Sequence, residues 1–97
     1  MPARKTAQKS LKLAPVLDLN EASALHGRLT ELKGSPVVID ASAVERSGAL
    51  CVQVLIAARN AWERDKLSFT FGKVSDAFRK TTQLIGVNID PLMAKEN

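Results

Sequence analysis

Hydrophobic positions recur at three- and four-residue spacing in three stretches of this chain, and short runs of another rhythm separate them. The first stretch is introduced by Ser10 to Leu17, where Leu11, Leu13, Val16 and Leu17 alternate loosely. This reads as a strand interrupted at Pro15, a residue tolerated at a strand's end or on a sheet edge because it brings no N–H to the ladder. Asp18-Leu19-Asn20-Glu21 is a capping-box pattern, in which the Asp18 carboxylate accepts from the Glu21 amide and Glu21 reaches back to the cap. Ala22, Leu25, Leu29 and Leu32 then form one apolar helical stripe, stopped by Gly34 and Pro36. Gly27 inside that helix costs about 1 kcal/mol relative to Ala, and marks either a close helix approach or a tolerated defect.

Val37-Val38-Ile39 is a continuous β-branched run, the pattern of a strand buried on both faces. A long helix is predicted from about Ala49 to Asp65, with Cys51, Leu55, Ala58 and Trp62 on one face and Val54 and Ala61 beside them. Leu67-Ser68-Phe69-Thr70-Phe71 has period two and predicts a half-buried strand. After Gly72, read as a turn glycine, Ser75 is an N-cap for a helix over Asp76 to Ile85. Ala77, Phe78, Leu84 and Ile85 supply its apolar side and Gly86 its stop. Alternating strands and helices in this order predict an α/β domain with right-handed crossovers.

That order also predicts where function sits. Parallel strands joined by helices bring their C-terminal ends to one edge, so the Ala41–Gly48 and Gly72–Ser75 loops should adjoin and form an interaction surface. On the long helix, Val52 and Ile56 are read as pointing away from the Cys51/Leu55/Trp62 stripe, among Gln53, Arg59 and Asn60. They are either covered by a neighbouring element or an exposed apolar pair with a polar rim, the makeup of a small protein contact. Glu45 and Arg46 lie in the turn before them, and the Ser47 hydroxyl is expected to cap the long helix.

With 97 residues and 45% hydrophobic content, the chain holds one domain and one modest core. The net charge of +4 is localised: of 14 Lys and Arg, four (Arg4, Lys5, Lys9 and Lys12) precede the first carboxylate, and the other ten balance the ten Asp and Glu. Residues 1–9 are therefore read as a flexible basic tail and 10–97 as a single domain. The four aromatics, Trp62, Phe69, Phe71 and Phe78, fall at core positions, with no RNA-recognition signature around them, so nucleic acid is not the expected partner. No apolar run is long enough to span a bilayer and no secretory signal opens the chain. The single cysteine, Cys51, fits a reducing compartment, and a cytoplasmic location is expected.

Enzyme chemistry finds few supports. His26, the one histidine, sits on a helix without a nucleophile or second ligand at useful spacing, and Cys51 falls on a packing stripe. Gly48 and Gly72 are isolated and make no phosphate loop. The chain is read as non-enzymatic, with no cofactor, metal or small-molecule substrate.

The segment Val37-Val38-Ile39-Asp40-Ala41-Ser42-Ala43-Val44 resembles the signature of STAS domains, the family of bacterial anti-sigma-factor antagonists, in which a strand runs into Asp-Leu-Ser-x-Val. Asp40, Ser42 and Val44 match it. Ser75-Asp76-Ala77-Phe78-Arg79 and Leu84-Ile85-Gly86 are similar to the family's last helix and closing Leu-x-Gly, so the resemblance covers Leu11 to Ile89. It implies a small, mostly parallel mixed sheet packed against helices, working without catalysis by docking onto a protein. In many members a Ser or Thr just before the long helix is phosphorylated. An ungapped alignment puts Gly48-Ala49-Leu50-Cys51 where Asp-Ser-Ser-Gly belongs, without an acceptor; a gapped one makes Ser47 the candidate phosphoacceptor.

Val44-Glu45-Arg46, the Leu-Cys at the helix start, Trp62 and the basic opening look most like the small stand-alone STAS proteins of alphaproteobacterial chemotaxis systems. That likeness implies an accessory subunit that binds a chemotaxis histidine kinase and alters phosphoryl flow to response regulators. The alternatives are an antagonist of an anti-sigma kinase and the STAS subunit of a phospholipid-transport ATPase. The expected partner surface comprises Ser42, Glu45, Arg46, Ser47, Gly48, Val52, Ile56, Lys73 and Arg79.

Overall fold

The computed structural model describes residues 8–93. The expected basic tail lies, up to residue 7, outside the described residues. Lys9 already belongs to the first strand, and its amide donates to the Pro36 carbonyl at 2.8 Å. The elements are β1 (Lys9–Lys12), β2 (Val16–Leu17), α1 (Leu19–Glu31), β3 (Val37–Ala41), β4 (Arg46–Ser47), α2 (Ala49–Arg64), β5 (Phe69–Val74) and α3 (Asp76–Leu84). A 3₁₀ turn follows at Asp90–Leu92.

Strands β1, β3 and β5 pair in parallel in that spatial order, with Leu11, Ile39 and Phe71 in register across the sheet. The short β2 and β4 form a second parallel pair, Leu17 opposite Ser47. Pro15 is where the first apolar stretch divides into β1 and β2. Its carbonyl accepts from the Glu45 and Arg46 amides at 2.7 and 3.1 Å, tying the β1–β2 link to the far loop.

The predicted α1 capping box is present on its Asp18 side: the carboxylate accepts from the Glu21 amide at 2.9 Å. Ala22, Leu25 and Leu29 are buried, as their spacing requires. Nothing lies within 4 Å of where a Gly27 Cβ would stand, so this glycine is a tolerated defect and no close approach.

The inner face of the sheet, with Leu11, Val37, Ile39, Phe69 and Phe71, is buried. Its aromatic residues join Trp62 and Phe78 in a chain of tilted and edge-on contacts with centroids 5.7, 6.2 and 5.8 Å apart. Such pairs add about 0.5–1.5 kcal/mol each beyond area burial. The opposite face is not closed over: Val38, Asp40 and Thr70 are half-buried, Ser10 and Lys12 exposed. The expectation that β3 is buried on both faces is thus corrected. Successive right-handed crossovers that step across a sheet in one direction put α1 and α2 on one side of it.

Three further expectations change for local reasons. Helix α2 ends in a Schellman motif: Leu67 donates to the Trp62 carbonyl at 2.9 Å and Lys66 to that of Glu63 at 3.0 Å, with Lys66 left-handed at φ 60°. Leu67 is therefore used by the helix end, and the strand begins at Phe69 and runs on to Val74. Gly72 is consequently a strand residue and no turn. A Cβ there would meet Val38 Cγ1 at 3.0 Å, so a side chain at this position requires Val38 to shift by a few tenths of an ångström.

Helix α3 ends in the same motif, with Val87 donating to the Thr82 carbonyl at 2.8 Å and Gly86 at φ 80°. The reversal brings Ile89 into the core, where it is buried, and Val87 against it. Leu84 is left 87% exposed and Ile85 exposed, while Phe78 and Thr82 form the buried side of α3.

Candidate functional site

The C-terminal ends of β1, β3 and β5 meet at one edge, and a hydrogen-bond network fixes the loops there. Asp40, the last half-buried position before the turn, accepts from the Ser42 amide at 2.9 Å, which folds the chain back after β3. Bonding from Ser42, through its hydroxyl and then its amide, holds the Asp40 carboxyl below the usual range. Lys12 and Lys73 on the flanking strands add to this, against an opposing push from partial burial. The side-chain oxygen of Asp40 is thus a structural acceptor between two cations.

Val44, with its side chain buried, plugs the loop into the core, and its amide donates to the Ala41 carbonyl at 3.3 Å. Ser75 joins this loop to the next. Its amide donates to the Ala41 carbonyl at 3.1 Å and its hydroxyl to the Val44 carbonyl at 2.6 Å, while its oxygen caps α3 by accepting from the Phe78 amide at 3.1 Å. The Ala41–Gly48 loop and the entrance of α3 therefore adjoin, as the strand order predicts, and α3 packs against β4.

At this edge Ser42, Glu45, Arg46, Gly48 and Lys73 are exposed, and Ser47 is half-buried. Ser47 is not the cap expected: Gly48 is the α2 N-cap, without a side-chain cap bond, and the Ser47 hydroxyl donates to the Gly48 carbonyl at 3.1 Å. Placed inside β4, it sits one residue too early to reach the free amides of the helix. Arg79, one turn into α3, is half-buried and bridged to Asp90 at 2.8 Å, which secures the segment after α3.

The reading of Val52 and Ile56 as an exposed pair does not hold. Val52 is only 1% exposed, and Ile56 is half-buried against the core. The reason is helical geometry: Val52 lies only about 60° around the axis from Leu55. Helix α2 contacts α1, α3 and β5, so its apolar arc is wider than one stripe. The apolar group that does reach the surface near this edge is Leu50, 46% exposed in the first turn of α2. Its position directly after Gly48 and Ala49, at the start of the long helix, is the signal the sequence offers.

Cys51 is buried, and its Sγ donates to the Asp18 carbonyl at 3.4 Å. Burial, then the Glu21 and Asp18 carboxylates, push the thiol pKa up, so it is no activated nucleophile. Among the described residues no three His, Cys, Asp or Glu side chains gather as a metal site, and no helix is long and apolar enough to cross a membrane.

No curated protein matches the chain. The family profile described as "Mlab, STAS domain" matches residues 1–94. With parallel strands, helices on the sheet's inner face and Asp40-Ala41-Ser42-Ala43-Val44 folded into the strand-end turn, the chain belongs to the STAS domain family.

Proposed function

We propose that this protein is an accessory subunit that binds a chemotaxis histidine kinase in the cytoplasm and modulates phosphoryl flow to its response regulators. STAS domains are generally non-catalytic binding modules, as in the anti-sigma antagonists, so a protein partner follows from family membership. The observation that carries the finer reading is the entrance of α2. Ala49 and Leu50 have no acceptor oxygen, and the nearest hydroxyl, Ser47, is half-buried and donates to a carbonyl. This favours a standing contact over a switch released by phosphorylation there.

The docking surface proposed is the exposed strand-end edge: Ser42, Glu45, Arg46, Gly48 and Lys73 around Leu50. An apolar centre would supply affinity and the charged rim association rate. Ser47 and Ile56 contribute at most their partly exposed edges, Val52 is left out, and Arg79 acts through its bridge to Asp90.

The test is a titration against the purified chemotaxis histidine kinase of the same organism. Arg46→Glu should weaken binding several-fold, more at low salt than at high, and incubation with kinase and ATP should leave the chain's mass unchanged. Stoichiometric phosphate on Ser47 would instead favour the anti-sigma alternative. A second partner class is the phospholipid-transport ATPase that the sequence resemblance also admits: as its STAS subunit, the chain would co-purify with that membrane complex.

A further inference from the structure

Helices α1 and α2 run side by side in the same direction. At one end the Cys51 thiol of α2 reaches the Asp18 carbonyl before α1 at 3.4 Å. At the other, Trp62 in the last turn of α2 donates to the Ser35 carbonyl just past α1 at 2.7 Å. On the outer side of this pair lies a groove of about 440 Å³, lined by His26 and Lys33 from the α1 side and by Val54, Ala57, Ala58 and Ala61 from α2. The three alanines keep it open, and no carboxylate lines it.

The seam extends beyond the groove in both directions by a seven-residue step. Leu19, His26 and Lys33 follow one another along α1 and just past its end, and Leu50, Ala57 and Arg64 along α2. A step of seven returns a side chain to within about 20° of the same helical face. The upper end of the seam carries two exposed apolar side chains, Leu19 at 72% and Leu50 at 46%, beside the Asp18 and Glu21 carboxylates, which disfavour a partner's acidic end there. The lower end is basic. Lys33 and Arg64 are exposed, and the ion pairs among the described residues, Arg59–Glu63 and Arg79–Asp90, engage neither. The two helix C-termini offset these charges by about half a unit each, and the carboxylates at this end, Glu31 and Asp65, are exposed and do not line the groove.

We infer that the α1/α2 seam is a docking groove for an amphipathic helix of a partner protein, carrying carboxylates at its N-terminal end and larger apolar side chains toward its C-terminal end. The carboxylates lie over Lys33 and Arg64, the apolar side chains over the alanine floor and against Leu19 and Leu50. The bound helix then runs antiparallel to α1 and α2, which opposes its dipole to theirs. This surface is separate from the strand-end edge apart from the shared corner at Leu50, and it does not depend on the identity of the partner bound there.

Trp62, the one tryptophan, lines the groove and is a built-in reporter. The probe is a synthetic helix of about 16 residues, long enough to span the seam. It has a Leu/Ala face and Glu in its first turn, and is compared with the same peptide bearing Lys there. Titration of the full chain should give a saturable change in Trp62 emission with the acidic peptide and at least tenfold weaker binding of the basic one. Ala57→Glu, at an exposed position, should weaken the acidic peptide tenfold or more with an unchanged circular dichroism spectrum. Lys33→Glu with Arg64→Glu should invert the preference, and Arg46→Glu should leave peptide binding unchanged. The inference is overturned by no saturable change at millimolar acidic peptide, by equal affinity for both peptides, or by indifference to Ala57→Glu. It is also overturned if sedimentation finds a dimer that Ala57→Glu dissociates, since a second copy would then fill the groove.

Discussion

The Ser75 hydroxyl donates to the Val44 carbonyl at 2.6 Å and in the same position caps α3 through the Phe78 amide. One side chain thus ends β5, starts a helix and pins the loop after β3. Ser75→Ala should remove the cap and leave a carbonyl without its donor, a loss of about 1–2 kcal/mol. Ser47→Ala, which deletes a bond only to the neighbouring carbonyl, should cost less than about 0.5 kcal/mol. Urea unfolding of the two variants checks the contrast, and equal losses would contradict this division of roles.

Two positions hold a residue poorly matched to the backbone. Gly27 is inside α1 with open space around it, and Lys66 carries φ 60° at the end of α2. Gly27→Ala should stabilise by about 0.5–1 kcal/mol and Lys66→Gly by a similar amount, since glycine adopts the left-handed conformation freely. Thermal denaturation of each, and of the pair for additivity, is the measurement. A fall in midpoint for Gly27→Ala would mean the helix meets a neighbour there.

Asp40 should make folding stability sensitive to acid. Its folded-state pKa is lowered by Ser42 bonding first and by Lys12 and Lys73 after. Its contribution is therefore fully present above the ordinary carboxylate pKa of about 3.9 and is lost as pH falls through the lower folded value. Asp40→Asn should be less stable than the parent at neutral pH, with the gap closing below about pH 4. A gap that stays constant across that window would rule out the ionised carboxylate as its source.

Cys51 should react slowly. With its thiol buried and its pKa raised by burial and the nearby carboxylates, labelling by a disulfide reagent at neutral pH should require opening of the α1/α2 contact. Rates should rise to those of a free thiol only in denaturant. Immediate labelling in native buffer would be incompatible with the buried placement.

Elements whose signals are local were legible in the sequence: the Asp18 cap, the Ala22/Leu25/Leu29 stripe, the Ser75 cap, and the strand order that sets the Ala41–Gly48 loop beside the α3 entrance. Those decided by distant partners were not. Helical spacing gives angles but not how many neighbours a helix has, so spacing alone turns Val52 outward, whereas α3 and β5 flank α2 and Val52 is buried. Likewise Leu84 and Ile85 continue the apolar rhythm of α3, but the reversal at Gly86 brings in Ile89 instead. The Leu19/Leu50 exposure needed both helices side by side before it had meaning.

Every strand pairing in this sheet is parallel, and the residues that face one another, Leu11 with Ile39 and Ile39 with Phe71, are roughly 30 positions apart in the chain. No hairpin can form early and wait for the rest, because each ladder closes only after an intervening helix has been laid down. Refolding should accordingly be slower than for a helical bundle of this length. During synthesis, the apolar positions Val37 and Ile39 have a neighbour on only one side until Phe69–Val74 has left the ribosome.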